Sequence, residues 1–284
     1  RLEAELFRRG SLERAFRLFI VPQLKKRKEH VDQLYPLMRS KQYGDLATGM
    51  AVDWLKACAD LPAGPEMELV DRLVSCGRLD ELRSLVATRL QQELDDERRR
   101  SWDAIHVYAD FREAVDRLEQ PLEPELLWHL RARIGGGRSD ERPMAALSPA
   151  QRKWIVSSFR KHWPNRPRPG GTSSGDQNYW DASDYLKQQI SLLGEDISDQ
   201  AQTALASLTN EADDDYSEHI RVVIAEREQK IAEQCYEATS LAELQTIFAD
   251  ASPDKPTTFA GYALEKWNQN QWWIGPVGLA MGIG

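Results

Sequence analysis

GPEMELVDRLVSCGRLDELRSLVATRLQQEL, residues 64–94, contains two amphipathic helical patterns separated by a single glycine. Apolar side chains recur every three or four residues in each half, which is the period of a helix with one buried side. They are Leu69, Val70, Leu73 and Cys76 in the first half, and Leu79, Leu82, Val86, Leu90 and Leu94 in the second. Pro65 suits the first turn of a helix and Gly77 suits the position just after one. The stretch therefore predicts an αα-hairpin.

The same helical period extends along most of the chain, and no stretch alternates convincingly enough to predict a strand. Helices are predicted around residues 11–38, with a break or a first turn at Pro22 and Pro36, and around residues 44–60, 97–119, 123–134, 148–163, 181–194, 198–209, 215–238 and 240–250. Ser148 is placed as an N-cap with Pro149 in the first turn, and Asp181 and Ser198 are predicted to cap later helices. Ten or more helices with no strands predict an all-α fold, an irregular α-solenoid of the HEAT-like kind.

A change of composition predicts where the chain divides. Ile134–Leu147, IGGGRSDERPMAAL, is polar, rich in glycine and lacks any helical period. The predicted organisation is an N-terminal helical array (1–134), a linker (135–147), a second helical segment (148–251) and an irregular or truncated tail (252–284). That tail is a truncated edge, a frame-shifted end or an exposed binding patch. Because the chain begins with Arg1, we expect it to be a piece of a longer protein.

Composition limits the classes of function. Hydrophobic residues make up 41% and charged residues 29% of the chain, a globular balance, and the net charge of −8 argues against a protein coated by nucleic acid. The three scattered cysteines suit a reducing cytoplasm and argue against a disulfide framework or a zinc site. No apolar run approaches the roughly 18–20 residues that span a bilayer, so no membrane partner is predicted.

Residues 167–186, PRPGGTSSGDQNYWDASDYL, contain two glycines at the spacing of a phosphate-binding loop. Such a loop needs Lys followed by Ser or Thr after its second glycine, and Asp176 and Gln177 stand there instead. It also follows a strand, whereas a helical pattern that ends at Trp163 precedes this stretch. We therefore predict a structured loop between helices and no nucleotide cofactor.

No candidate catalytic or metal-binding group emerges. The acids in EADDDYSEH, residues 211–219, suit the positive end of a helix better than a metal site. The remaining histidines stand alone and form no recognisable catalytic motif. The prediction is that the chain is not an enzyme and carries no metal.

Basic residues form the one candidate binding feature. They follow the flank of the predicted helix 148–163 and continue into the next loop, as Arg152, Lys153, Arg160, Lys161, Arg166 and Arg168. A second basic run, KKRK, occupies residues 25–28. Such a flank suits a nucleic-acid backbone, but a solvated helix surface is favoured here because the chain is acidic overall.

From Trp154 to about Ala251 the chain resembles a region of large bacterial STAND/NACHT-like NTPases of antiviral defence. The residues that carry the resemblance are Trp163-Pro164, PGGTSSGDQNYWDASDYL, ISDQAQTALASL and YSEHIRVVIAEREQKIAEQCYEATSLAEL. The resemblance implies a helical array between a nucleotide-binding domain and a nuclease-like domain, and it transfers no catalytic residue. It predicts a non-enzymatic scaffold or sensor that contacts other domains or subunits of its system; the alternative is a nucleic-acid-binding helical module.

Overall fold

The computed structural model describes residues 10–40, 42–135, 145–164, 174–212 and 214–237, and every regular secondary-structure element within them is a helix. The twelve helices are α1 (Leu12–Lys25), α2 (Leu34–Arg39), α3 (Gly44–Ala57), α4 (Ala63–Ser75), α5 (Leu79–Arg89), α6 (Asp96–Ala109), α7 (Phe111–Arg117), α8 (Pro124–Arg133), α9 (Pro149–His162), α10 (Ser174–Glu195), α11 (Asp199–Glu211) and α12 (Asp215–Glu237). No strand occurs in the described ranges. The prediction of an all-α fold is confirmed.

The chain divides into two compact units, Arg1–Leu147 and Ser148–Gly284. In the first unit the main contacts join helices one or two apart, as α2 contacts α3 and α4, and α6 contacts α7 and α8. In the second unit α9 packs against α10 and α11, and α12 packs against α10 and α11. Stacked helix pairs make such contacts in repeat proteins, and the solenoid arrangement stays a prediction. Most of the predicted linker and all of the tail lie outside the described residues.

The αα-hairpin of residues 64–94 is formed by α4 and α5. Gly77 adopts a φ of 63°, and two backbone hydrogen bonds close the end of α4, from Gly77 N to Val74 O (3.1 Å) and from Arg78 N to Leu73 O (3.0 Å). This is the Schellman arrangement, in which glycine avoids the strain that a side chain would suffer. The predicted turn is confirmed, whereas Cys76 is exposed because the helix ends before it.

Two long helices expected from the sequence are each broken in the structure. The expected helix 97–119 ends at Asp110, whose side chain accepts a hydrogen bond from Glu113 N (3.3 Å) and begins α7. The expected helix 11–38 ends at Lys25, and Arg27 follows with a φ of 52°. The apolar period continues across the break at Asp110 and hides it, whereas the break after Lys25 falls in a polar run, residues 25–30, and not at Pro22, which lies inside α1.

The start of α10 also differs from the expectation. The helix begins at Ser174, so Tyr179 and Trp180 are helical and Asp181 lies inside the helix instead of capping it. The caps at the other two positions are confirmed. Ser148 forms a capping box with Gln151, and the Ser198 side chain accepts a hydrogen bond from Ala201 N (3.3 Å).

Helices α10 and α12 approach closely at Gly194. A Cβ atom placed on Gly194 would overlap Cγ1 of Val223, so only glycine allows the backbone to lie this near. Gly49 in α3 is the opposite case, because a Cβ there would meet nothing within 4 Å.

Gly194→Ala should therefore lower the free energy of unfolding by about 1–3 kcal/mol, as overpacking does in a well-filled core. Gly49→Ala is the matched control and should raise stability by up to about 1 kcal/mol, because alanine favours a helix more than glycine does. Urea unfolding of both variants measures the difference. A Gly194→Ala chain as stable as Gly49→Ala would contradict the close approach.

Candidate functional site

Helix α1 presents apolar side chains on two sides. Its inner side buries Leu12, Phe16, Ile20 and Leu24. On the opposite side Leu18 is 69% exposed and Phe19 is 53% exposed. These two belong to a stripe at spacings of three and four residues, which we call the α1 outer surface: Ala15, Leu18, Phe19, Pro22, Lys25 and Lys26.

Helix α1 has two apolar stripes, whereas a helix with one buried side needs only one. Its sequence is therefore typical of a helix that packs on both sides. Among the described residues, only the inner side is covered. Adjacent exposed leucine and phenylalanine on a regular helix mark a contact surface more often than isolated apolar residues do. This surface was not predicted from the sequence, although the second stripe follows the same helical period.

The α1 outer surface ends in an excess of positive charge. Arg17 is neutralised by Glu13 (2.8 Å) and Asp53 (2.6 Å). Lys25, Lys26 and Lys28 are exposed and form no ion pair with any residue that the structure describes. The surface therefore combines an apolar centre with a basic edge, which suits a partner that carries acidic residues beside apolar ones.

A cavity of about 520 Å³ lies in the first unit between residues 29–36 and the first turns of α4. The Arg39 guanidinium lies 4.2 Å from the centre of the Tyr35 ring and 3.9 Å from the Glu68 carboxylate at this site. Glu29 and Asp32 add negative charge to its wall. The carboxylates that line the cavity, Glu29, Asp32 and Glu68, belong to no group among the described residues that could hold a metal ion.

The basic residues predicted on the flank of α9 differ in their burial. Arg160 is 6% exposed, and its guanidinium donates hydrogen bonds to Asp214 Oδ2 (2.9 Å), Leu208 O (2.7 Å) and Ser217 Oγ (2.7 Å). These bonds fasten the connection between α11 and α12. Arg160 is thus occupied inside the second unit, and it lies neither on the solvated helix surface that the sequence favoured nor where it could contact a nucleic acid.

The other predicted contact residues differ in exposure. Arg152 is half-buried and donates to Oε1 of the buried Gln189 (2.6 Å), and burial lowers the pKa of its guanidinium. Lys153 is half-buried and Lys161 is exposed. Arg166 and Arg168 lie outside the described residues. Lys153 and Lys161 are therefore the two residues of α9 that stay candidates for a nucleic-acid contact.

Asp214 stabilises the start of α12, as the sequence predicts for the acids of this stretch. Its carboxylate accepts a hydrogen bond from Ser217 N (3.0 Å) and pairs with Arg160. Burial alone would raise the pKa of Asp214, but the hydrogen bonds from Arg160 and Ser217 outweigh burial and lower it. Asp213 lies outside the described residues, within which no group of three potential metal ligands occurs.

Two histidines of the first unit are held inside the helical packing. His106 is 4% exposed, and Arg117 donates to its Nδ1 atom (3.3 Å), which requires a neutral ring with its proton on Nε2. Burial and the Arg117 cation lower the pKa of His106. His129 Nδ1 lies 3.0 Å from Ser101 Oγ, and burial lowers its pKa as well.

The lowered pKa of His106 makes stability depend on pH. As the pH falls below about 6.5, His106 takes up a proton in the unfolded chain but stays neutral in the folded chain. The free energy of unfolding therefore decreases until the pH reaches the lowered pKa of the folded state. His106→Gln should reduce the slope of unfolding free energy between pH 7 and 5.5 by up to about 1.4 kcal/mol per pH unit. Gln91→Ala, which changes an exposed residue that does not ionise, is the control and should leave the slope unchanged. Equal slopes in wild type and His106→Gln would contradict this assignment.

Comparison with protein-family models, with curated proteins and with solved structures finds no match to this chain. The fold class therefore rests on the helices themselves. None of the described helices has the length and apolar character needed to cross a bilayer.

Proposed function

We propose that this chain is a non-enzymatic helical scaffold that binds another protein through the α1 outer surface. The exposure of Leu18 and Phe19, side by side on a helix whose opposite side is buried, supports the proposal. Docking would remove both apolar side chains from water, the main favourable contribution to most protein association. The spacing of three and four residues suits a partner helix.

Affinity purification from the source cells tests this function with a double variant, Leu18→Glu with Phe19→Glu. Both positions are exposed, so the variant should fold normally. Arg112→Glu, at an exposed position of α7, is the matched control. Proteins recovered with wild type and with the control should be depleted at least tenfold with the double variant, and each should bind the purified wild-type chain. Equal recovery with all three chains would contradict the proposal.

Nucleic-acid binding is the second candidate, because exposed lysines occur at Lys25, Lys26 and Lys28 and again at Lys161. Such binding should weaken steeply as salt is added. Each lost phosphate contact should reduce the slope of the logarithm of the binding constant against the logarithm of the salt concentration by about 1. Lys153→Glu with Lys161→Glu tests α9, and a triple lysine-to-glutamate variant tests residues 25–28. Absent or salt-independent binding to a single-stranded oligonucleotide would dismiss this function.

The wider setting is proposed from the sequence alone. The resemblance over residues 154–251 supports a scaffold within a bacterial defence NTPase, where the partners are other domains or subunits, and the scattered cysteines support a cytoplasmic location. Sequencing the source DNA beyond both ends of this chain tests it. A Walker motif upstream and a nuclease-like motif downstream would support this setting, and a closely bounding start and stop codon would contradict it.

A further inference from the structure

A second outward stripe runs along α12 in the other unit. The inner side of α12 is buried, with Tyr216, Ile220 and Ile231 at 1% exposure or less. On the opposite side Val222 is 47% exposed. It belongs to a set spaced by three and four residues, which we call the α12 outer surface: Glu218, Val222, Ala225, Glu226, Gln229 and Glu233.

The charges of the α12 outer surface are opposite to those of the α1 outer surface. Glu218, Glu226 and Glu233 are exposed and form no ion pair with any described residue. The only hydrogen bond recorded for Glu233 within the described chain comes from Gln229 (2.8 Å). Arg221 and Lys230 lie at the margins of the stripe, so the negative charge is concentrated along its centre beside Val222 and Ala225.

The two stripes also complement each other in bulk. The α1 outer surface carries the large side chains Leu18 and Phe19, whereas the α12 outer surface offers the smaller Val222 and Ala225 between its glutamates. Large residues opposite small ones allow two helices to interdigitate. Two α12 surfaces would bring glutamates together, and like charges facing each other disfavour that pairing. Two α1 surfaces would bring lysines together when parallel and would leave them without carboxylate partners when antiparallel.

We infer that the α1 outer surface of one copy binds the α12 outer surface of a second copy. The inference rests on the proposed function, because it takes α1 as the docking surface and names a second copy of the chain as the protein that docks. The contact joins two different surfaces, so each pair retains one unused surface of each kind. Such head-to-tail contacts close into rings or continue as filaments.

The contact is expected to be weak. One helix pair lies at the small end of protein interfaces, where association is transient. A dissociation constant of about 0.1 mM is the scale to test. Sedimentation velocity up to about 0.5 mM protein should therefore show association that increases with concentration.

Mixing two variants tests the pairing directly. Leu18→Ser with Phe19→Ser disables the α1 outer surface without adding a charge that the other variant could pair with, and Val222→Lys with Glu226→Lys disables the α12 outer surface. Each variant alone should stay monomeric. An equimolar mixture should form a one-to-one dimer and nothing larger, because one intact surface of each kind remains. Arg112→Glu is the control and should associate like wild type, and circular dichroism should show that every variant retains the helical fold.

A wild-type chain that stays monomeric to about 0.5 mM would overturn this inference. So would a mixture of the two variants that does not associate, or a variant that associates by itself. The proposed function fails separately, since it requires only that partners recovered from cells depend on Leu18 and Phe19. If the chain is monomeric but binds a different protein through α1, the proposed function holds and the self-association is overturned.

Discussion

Glu66→Ala is expected to lower the free energy of unfolding of the first unit by about 3–5 kcal/mol, the cost of breaking a buried ion pair from one side. Glu66 is fully buried in α4. Its carboxylate accepts hydrogen bonds from Arg89 Nε (3.0 Å), Arg98 Nη2 (2.9 Å) and Trp102 Nε1 (3.3 Å). Alanine would leave Arg89, which is 2% exposed, without its carboxylate partner.

The effect is large because Arg89 and Glu66 together join four helices. Arg89 on α5 reaches Glu66 on α4 and also donates to two carbonyls at the end of α3, Leu55 O (2.8 Å) and Cys58 O (3.2 Å). Glu66 in turn accepts from Arg98 and Trp102 of α6. Loss of the carboxylate therefore weakens the packing of the whole α3–α6 region and not of one helix pair.

Urea unfolding followed by pulsed hydrogen exchange of the α4–α6 amides reports the first unit by itself. The matched control is Asp80→Ala, which removes an exposed ion pair with Arg83 (2.8 Å). The control should change the unfolding free energy by less than about 0.5 kcal/mol, as exposed pairs usually do. Equal effects of the two substitutions would show that the hydrogen bonds of Glu66 with Arg89, Arg98 and Trp102 do not hold helices α3–α6 together.

Arg160→Leu is expected to lower the free energy of unfolding of the second unit by about 2–4 kcal/mol, because it removes a buried charged donor from several acceptors. Leucine fills part of the space but leaves Leu208 O and the Asp214 carboxylate without the guanidinium. Lys161→Leu changes the next residue, which is exposed, and should have little effect. Pulsed hydrogen exchange of the α9–α12 amides measures both.

The pH dependence of this effect follows from Asp214. Its pKa is lowered from 3.8 in the folded chain, so the stability from this group is present above about pH 4 and is lost as the pH falls through the lowered pKa. The difference between wild type and Arg160→Leu should therefore shrink in acid. A difference that stays constant to pH 2 would contradict the Arg160–Asp214 pairing.

The local features of the fold could be predicted from the sequence, because their signals lie within a few residues. Gly77 ends α4, and Ser148 and Ser198 begin helices, as their residue types indicate. The break at Asp110 and the early start of α10 were not predicted, because the helical period and the glycine-rich stretch each suggested otherwise. Neighbouring residues decide caps and turns, whereas the packing of distant helices decides where a continuous pattern is interrupted.

The polar clusters depend on distant residues and were not predicted. Arg160 meets Asp214 across 54 residues, and Arg89 meets Glu66 across 23. Helical spacing placed Arg160 on an exposed flank, whereas its partner draws it into the second unit. The sequence did contain one indication of the Glu66–Arg89 pair. Both residues fall on the apolar side of their helices, where an unpaired charge is costly.

Photo-crosslinking in the source cells tests whether the α1 outer surface binds a protein, with the reactive amino acid placed at Leu18 in one chain and at Arg112 in another. Both positions are exposed, but only Leu18 belongs to the α1 outer surface. We expect discrete protein adducts from position 18 that disappear when Lys25 and Lys26 are replaced by glutamate, and none of the same adducts from position 112. Identical adducts from both positions, or adducts at position 18 that are indifferent to the lysines, would contradict this expectation.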